Sequence, residues 1–372
     1  MVSFAGRSSF ISSKSCKFER AVMAAKRAIT IARRHRLLHI ESKVRSWWEE
    51  KSSHTAYMNT LTEISTMRSW PFKTGSKPYP SPGEAIRVYS ADATLYTIAK
   101  ANISADRVLV PNVRVTLSSI VTRLIKEIEW MEEFLAEDQP SMRTGSLSCF
   151  ADRAFDNMIN RIISRGDPTK PCFRFLQDCR DLYGFACGGT AGGMNRDLLL
   201  HYMNVQTILA ERFCPHYADY VWREVLKKDG CVIDAPWPTG SLPDLNIYEA
   251  SKYLCKVIMR IFKHKNITRN QKRSISSCLI YVKELKHQER QKLLRRFQKF
   301  CKDKQTFPMA TPSWERGVVE ENMDLIKTLC VLEDLQVLSV TELDDFAKAD
   351  PLFSQLYEKP PSPGSIIFLA RW

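Results

Sequence analysis

The chain has 372 residues, of which 44% are apolar and 26% charged, and these fractions are typical of a globular protein and exclude disorder throughout. Its 55 Lys and Arg residues against 41 Asp and Glu leave a formal net charge of +14, which favours polyanionic partners such as nucleic acid. No apolar run approaches the roughly 18 residues that a membrane-spanning helix requires, so no membrane span is predicted. The 11 cysteines, an odd number without a CxxC pair, predict reduced thiols.

The positive charge is concentrated in two blocks. Residues 1–48 carry 11 basic and 2 acidic side chains, and residues 251–304 carry 17 and 3, whereas residues 305–372 carry 5 and 11. In the first block, apolar residues recur at steps of three and four, which predicts an amphipathic helix in a basic N-terminal arm. Its Arg-rich and Ser-rich composition also fits a mitochondrial presequence, which is the alternative to a retained arm in a cytoplasmic protein.

The middle of the chain shows mainly helical periodicity. A Pro-rich stretch at 70–83 predicts a linker, and β-branched residues that alternate with others near 85–115 predict a few short strands. Apolar positions from 117 to 135 form the clearest helical stripe, with Thr116 as its N-cap and Pro140 beyond its end. The same periodicity predicts further helices over 150–164, 172–183, 195–213, 217–228, 247–263, 269–302 and 318–338.

A stretch rich in Pro and Gly at 230–244 predicts a boundary between two parts of the chain. The predicted fold class is therefore mainly α, with two helical lobes, a few short strands near 85–115, a basic N-terminal arm and a short apolar C-terminal tail. The predicted domains are the arm at 1–48, an N-terminal lobe at 84–229, a C-terminal lobe at 245–357 that contains the basic block 251–304, and the tail at 358–372.

The basic block at 251–304 is the best candidate for a binding site. Four of its bases share one helical face, and such a row can follow a phosphate backbone while interleaved aromatic residues stack on unpaired bases. A solvated helix face is the alternative, but the block has too few acids for surface ion pairing. The predicted nucleic-acid-binding residues are Lys252, Lys256, Arg260, Lys263, Arg269, Lys272, Arg273, Lys283, Lys286, Arg290, Arg295, Arg296, Lys299 and, outside the block, Arg196.

Five of the 14 glycines lie between positions 184 and 193, just before a predicted helix. Their spacing matches neither a P-loop nor a dinucleotide-binding motif, which favours a hinge or a tight packing turn. A phosphate contact assisted by Arg196 is the alternative, because helix N-termini bind anions.

No metal site is predicted. Six candidate ligands fall within 45 positions, but only two of them are close enough in sequence for a structural zinc pair. The remaining histidines lie mostly among basic residues and are predicted at the surface. The six candidates are Cys172, Cys179, Cys187, His201, Cys214 and His216, and the remaining histidines are His35, His39, His54, His264 and His287.

The C-terminal tail follows a Pro-rich spacer at 359–365. An apolar segment after a spacer either folds back onto its own core or docks on a neighbouring subunit, and an exposed one would promote aggregation. The second alternative makes the apolar tail residues candidates for oligomerisation: Ile366, Ile367, Phe368, Leu369 and Trp372.

Motifs of hydrolases, metalloproteases, P-loop proteins, deaminases and kinases are absent from the sequence, so no catalytic residue, cofactor or small-molecule substrate is predicted. The prediction is a cytoplasmic protein that binds single-stranded RNA largely independently of sequence and self-associates through its termini. In size, charge layout and helix content the chain resembles nucleoproteins of negative-strand RNA viruses, in which two helical lobes clamp RNA. The alternatives are a nucleic-acid enzyme or polymerase accessory, and a helical scaffold that binds an acidic partner.

Overall fold

The computed structural model describes residues 8–51, 54–71, 73–74, 79–102, 109–110, 112–136, 142–165, 172–188, 193–270, 277–282, 314–339 and 367–371. Within these ranges the chain is mainly helical, which confirms the predicted fold class. None of the helices described there is both long and apolar enough to cross a membrane.

The helices and strands have the following bounds. Before residue 190 the helices are α1 (Ser8–Lys51), α2 (Thr55–Thr66), α3 (Pro82–Tyr89), α4 (Ala91–Asn102), α5 (Val113–Ala136), α6 (Phe150–Arg165) and α7 (Cys172–Ala186). After it come α8 (Arg196–Glu211), α9 (Pro215–Tyr220), a π-helical turn (Val221–Val225), a 3-10 turn (Val232–Asp234), α10 (Leu245–Asn270), α11 (Trp314–Glu321) and α12 (Met323–Cys330). The strands are β1 (Lys73–Thr74), β2 (Leu109–Val110), β3 (Ser277–Val282), β4 (Asp334–Ser339) and β5 (Ile367–Arg371).

The strands predicted near 85–115 are mostly wrong, since α3 and α4 occupy 82–102. A capping box starts α3: the Ser81 side chain accepts a hydrogen bond from the Glu84 backbone amide, and the Glu84 carboxylate accepts one from the Ser81 amide. Pro82 stands at the first helical position, where its missing N–H costs nothing. Among the described residues of 85–115, only the two of β2 form a strand, and they pair in parallel with β1.

The chain forms two compact units, and the first comprises Met1–Asp138, Arg165–Gln177 and Leu200–Pro238. Its core is built by α1, which packs against α5 and α9. The buried side chains of α1 are Leu37, Ile40, Val44 and Trp48, spaced three or four residues apart on one face. The last third of the predicted arm is therefore part of this core. The apolar stripe predicted for α5 is confirmed, since its members are buried except for the half-buried Leu135. The predicted N-cap at Thr116 is wrong, because α5 begins at Val113 and Asn112 Oδ1 accepts a hydrogen bond from the Val115 amide.

The second unit comprises Gln139–Ser164, Asp178–Leu199 and Thr239–Trp372. Its core joins α10 to α11, α12 and a three-stranded sheet of order β4-β3-β5. The pairing of β3 is parallel to β4 and antiparallel to β5. These two units differ in their bounds from the predicted lobes 84–229 and 245–357. That the two lobes fold independently stays a prediction.

Two of the predicted helices in this unit are partly strand. Within 269–302, residues 277–282 form β3, because the alternating Cys278 and Ile280 are buried on one face with the period of a strand. Within 318–338, helix α12 ends at Cys330, Val331 adopts a left-handed conformation with φ of 51°, and β4 follows. The other residues of this predicted helix, 271–276 and 283–302, lie outside the described part of the chain.

The apolar tail folds back onto its own unit. In β5, Ile367 pairs with Tyr281, Phe368 with Ile280 and Leu369 with Leu279 of β3. The prediction that the tail docks on a neighbouring subunit is therefore wrong for these three residues, because the edge of β3 satisfies their backbone hydrogen bonds within the chain. Ile366 and Trp372 lie outside the described residues.

Candidate nucleic-acid interface

Helix α10 positions the first four residues of the predicted binding row. The Asp244 carboxylate accepts hydrogen bonds from the amides of Asn246 (2.7 Å) and Ile247 (3.4 Å), which caps the start of the helix. One face of α10 is buried in the core of the second unit through Tyr253, Leu254, Val257 and Ile261. Because this apolar face fixes the rotation of the helix, the basic face is held toward solvent.

Lys252, Lys256, Arg260 and Lys263 are all exposed on α10. Lys252 is the only one of the four with an ion pair among the described residues, since its Nζ lies 3.0 Å from the Glu249 carboxylate. Its Nζ also lies 5.2 Å from the centre of the Tyr248 ring. The other three cations therefore remain available to an anionic ligand, which is the electrostatic requirement for a phosphate-binding surface.

The structure describes only part of the predicted binding set. Arg196 is exposed at the first position of α8. Arg269 lies in α10, but its side chain is outside the described part of the chain. Also outside it are Lys272, Arg273, Lys283, Lys286, Arg290, Arg295, Arg296 and Lys299.

The glycine run supports the packing-turn interpretation where it is described. Gly188 has a left-handed φ of 87°, and a Cβ atom on Gly193 would lie 2.0 Å from the Cys187 carbonyl oxygen. The start of α8 already holds protein groups, because Asn195 Oδ1 accepts the Leu198 amide at 3.1 Å. Asp197 adds a negative charge to the first turn of α8, and this charge disfavours a phosphate there. The contact predicted for Arg196 stays a prediction.

Arg143 in the second unit is paired with a buried carboxylate, unlike most cations of the α10 row. Its guanidinium donates to both oxygens of the fully buried Asp152 at 2.6 and 2.7 Å, and to the Gly193 carbonyl oxygen. Burial raises the pKa of Asp152, but hydrogen bonds from Arg143, Tyr183 and Cys149 outweigh burial and hold that pKa below its usual value. The Arg143 guanidinium is therefore engaged in a contact within the fold.

The described cations of α1 in the first unit are also largely paired. Arg33 and Arg36 lie three residues apart on α1 and face Glu129 and Glu132, also three residues apart on α5, at 3.2 and 2.6 Å. Two further pairs join Lys43 to Glu224 at 2.7 Å, and Arg45 to Glu41. Sequence reasoning missed these pairs, and the matched three-residue spacing of Arg33 with Arg36 and of Glu129 with Glu132 was the available signal.

Two of the candidate metal ligands weighed from the sequence, His216 and Cys214, are buried in the first unit. His216 Nδ1 lies 2.8 Å from the Asp92 carboxylate, and both side chains are buried. Cys214 is buried too, and burial raises the pKa of its thiol well above the usual value. The surface placement predicted for His54 is wrong, because its ring is only 7% exposed and stacks on Trp48 at 4.0 Å between centroids.

Comparison with known proteins gives a consistent result. The chain is 32% identical to a cytoplasmic leucine–tRNA ligase of Arabidopsis thaliana in an alignment of 354 residues that covers 76% of this chain and 32% of that protein. It is 29% identical to the cytoplasmic enzyme of Pongo abelii (54% and 18%) and 30% identical to that of Saccharomyces cerevisiae (46% and 15%). No family model matches the chain. The chain thus spans about a third or less of the length of these relatives.

These similarities overturn the prediction of a viral nucleoprotein. The relatives are named leucine–tRNA ligases and come from a plant, an ape and a yeast, so the nucleocapsid interpretation is wrong. The predicted partners, single-stranded RNA and further copies of the chain, are wrong for the same reason. The error arose because size, net charge and helix content describe many RNA-binding proteins and do not distinguish between them.

Proposed function

We propose that this chain is a tRNA-binding segment of the leucine–tRNA ligase type and that it acts in the cytoplasm. The observation that carries this proposal is the similarity over 76% of the chain to a protein named cytoplasmic leucine–tRNA ligase. Because the chain spans 32% of that protein, the proposal concerns binding of the tRNA and leaves the joining of leucine to tRNA to the whole enzyme.

The exposed row on α10 is the surface that we assign to the tRNA backbone. Helical residues rise about 1.5 Å each, so the row from Lys252 to Lys263 extends over about 16 Å and can contact several successive phosphates. The row lies on a helix whose other face is buried. A fixed array of cations suits the fixed phosphate spacing of a folded RNA better than that of a flexible strand.

The α10 surface is expected to contribute affinity rather than sequence specificity. Lysine and arginine contacts to phosphates position a nucleic acid without reading its bases. Such contacts release counterions from the nucleic acid, so the logarithm of affinity falls linearly with the logarithm of the salt concentration. Binding through this surface is therefore expected to weaken steeply with salt and to be similar for different tRNA species.

Fluorescence anisotropy of labelled leucine tRNA with the full chain tests the proposal. We expect saturable binding that an unlabelled tRNA displaces at lower concentration than an unstructured RNA of the same length. Lack of saturable binding, or equal displacement by both competitors, would contradict tRNA binding. A variant in which Lys256, Arg260 and Lys263 are replaced by Gln tests the assigned surface separately from the proposed function, since tRNA binding could survive in it through other residues.

A further inference from the structure

A buried cluster in the first unit has the composition of a metal site. A ring nitrogen of His54, a carboxylate oxygen of Asp219 and the sulfur of Cys231 all lie within 4.8 Å of one another, and all three side chains are buried. They come from different elements: His54 immediately precedes α2, Asp219 lies in α9 and Cys231 immediately precedes the 3-10 turn. Only the folding of the first unit brings them together, so no spacing in the sequence indicates the cluster.

His54 provides an independent indication of a ligand. Its side chain is more than nine-tenths buried, and neither ring nitrogen has a hydrogen-bond partner among the described residues. Leaving a buried polar group unsatisfied is unfavourable, and most buried polar groups therefore have a partner.

The carboxylate of Asp219 is held in place and retains free lone pairs. Its Oδ2 accepts a hydrogen bond from Trp48 Nε1 at 2.6 Å, and its Oδ1 accepts one from the Val232 amide at 2.7 Å. A carboxylate offers about four lone-pair positions, so two remain for a cation. Hydrogen bonds of this kind orient the ligands in known metal sites.

Arg223 holds the third member of the cluster. Its guanidinium donates to Cys231 Sγ at 2.6 Å and to the Gly230 carbonyl oxygen at 2.9 Å, and it lies 3.9 Å from Asp219. A positive charge so close to the cluster opposes a cation, but a thiolate and a carboxylate together match the charge of a divalent ion. Arg223 can then remain as a hydrogen-bond donor to the metal-bound thiolate.

We propose that His54, Asp219 and Cys231 bind a zinc-class divalent cation, with a water molecule as the fourth ligand. Nitrogen, sulfur and carboxylate oxygen are zinc ligands, whereas Mg²⁺ and Ca²⁺ prefer oxygen alone. The three ligand atoms lie within 4.8 Å of one another, and tetrahedral zinc requires them to be about 3.3 to 3.7 Å apart, so movements of about 1 Å or less would bring them into position. The ion would connect the start of α2 to α9 and to the 3-10 turn.

Titration of the reduced full chain with Co²⁺, which replaces Zn²⁺ and has visible absorption, tests the site. We expect thiolate-to-cobalt charge-transfer absorption that Zn²⁺ abolishes, and the loss of one equivalent in Cys231→Ser and in His54→Phe. The phenylalanine keeps a planar ring against Trp48 and removes only the two nitrogens. Because the chain has 11 cysteines, Cys214→Ala is the matched control: Cys214 is buried in the same unit, lies outside the cluster and should be dispensable for the ion.

Thermal unfolding provides a second measurement. In the presence of a chelator, wild type and His54→Phe should melt at similar temperatures, since the substitution removes unsatisfied nitrogens. Zn²⁺ should then raise the melting temperature of wild type and of Cys214→Ala but leave both cluster variants unchanged. The site would be refuted if wild type showed no charge-transfer band and no zinc-dependent stabilisation, or if the response persisted in Cys231→Ser. If His54→Phe fails to fold, Cys231→Ser alone decides.

Discussion

The two basic regions of the chain differ in what their cations contact. On α1, four cations form ion pairs with acids of the same unit, and Arg36 with Glu132 is typical at 2.6 Å. On α10, Lys256, Arg260 and Lys263 are exposed and form no ion pair with any residue that the structure describes. The sequence shows two similar basic blocks, but most of the described cations of α1 are paired, with Arg27 and Arg34 as the exceptions, whereas only Lys252 of the α10 row has an ion pair among the described residues.

This difference shows that net charge is a poor guide to a binding surface. A cation that is paired within the fold contributes to stability, and exposed pairs of that kind contribute up to about 1 kcal/mol each. A cation without a partner contributes little to folding and can release counterions when it meets a phosphate. Substitutions in the two regions should therefore affect different measurements.

The largest effect on stability is expected at Asp152, whose carboxylate is fully buried and is paired with Arg143. Asp152→Ala would remove the carboxylate that pairs with the Arg143 guanidinium and accepts a hydrogen bond from the Tyr183 hydroxyl. We expect the free energy of unfolding to fall by about 3 to 5 kcal/mol, as when one partner of a buried pair is removed. Urea unfolding measures this loss. The control is Glu321→Ala, which breaks an exposed pair with Arg153 and should cost less than about 1 kcal/mol; equal losses would contradict the distinction.

The same carboxylate should make stability sensitive to acid. Because the pKa of Asp152 is lower in the folded state, its contribution is complete above the pKa of the unfolded chain, about 3.9, and is lost as the pH falls through the folded value. Wild type should therefore lose stability below about pH 4. Asp152→Asn should remove this component of the pH dependence, and an unchanged pH profile in that variant would rule out the assignment.

The next effect concerns the free cations of α10. Replacement of Lys256, Arg260 and Lys263 by Gln should weaken tRNA binding about 10- to 100-fold and reduce the salt dependence of the affinity by about three phosphate contacts. The free energy of unfolding should change little, because all three side chains are exposed and unpaired among the described residues. Anisotropy measured at several salt concentrations would reveal both effects. Unchanged affinity would exclude this face as the interface.

The corresponding change on α1 should have the opposite pattern. Arg33→Gln combined with Arg36→Gln removes the pairs with Glu129 and Glu132 and should lower the free energy of unfolding by about 1 kcal/mol. The affinity for tRNA should stay within about twofold of wild type, since these cations already have partners. Chemical unfolding and anisotropy on the same preparation test both statements. A large loss of affinity would show that pairing within the fold does not remove a cation from RNA binding.

The smallest effect is expected inside the α10 row itself. Glu249→Gln would release Lys252 from its ion pair, which has an Nζ to carboxylate distance of 3.0 Å, and would remove a negative charge near the proposed RNA surface. We expect a gain of about twofold in tRNA affinity, consistent with the modest strength of an exposed pair. Glu320→Gln, which releases Arg316 from a pair on α11, is the control and should leave the affinity unchanged. A loss of affinity in Glu249→Gln would show that the pair positions Lys252 for binding.

Local periodicity in the sequence determined much of the helical framework. The stripes of α5 and α10 were predictable because a helix that buries one face needs apolar residues every three or four positions. Where two local signals competed, the outcomes had different origins. Helix α3 begins at a capping box, which is itself a local signal, whereas residues 277–282 form a strand because β4 and β5 flank them in the same sheet.

The tertiary structure alone decided which charged and polar side chains have partners within the protein. The partners of Arg33 and Arg36 lie 96 positions away in the sequence, and His54 and Cys231 are also distant in sequence although their ligand atoms lie within 4.8 Å of each other. The sequence by itself gives the net charge and the residues that could act as ligands. Whether a side chain has an acceptor depends on contacts between distant segments, because ion pairs and metal ligation act over a few ångströms rather than along the chain.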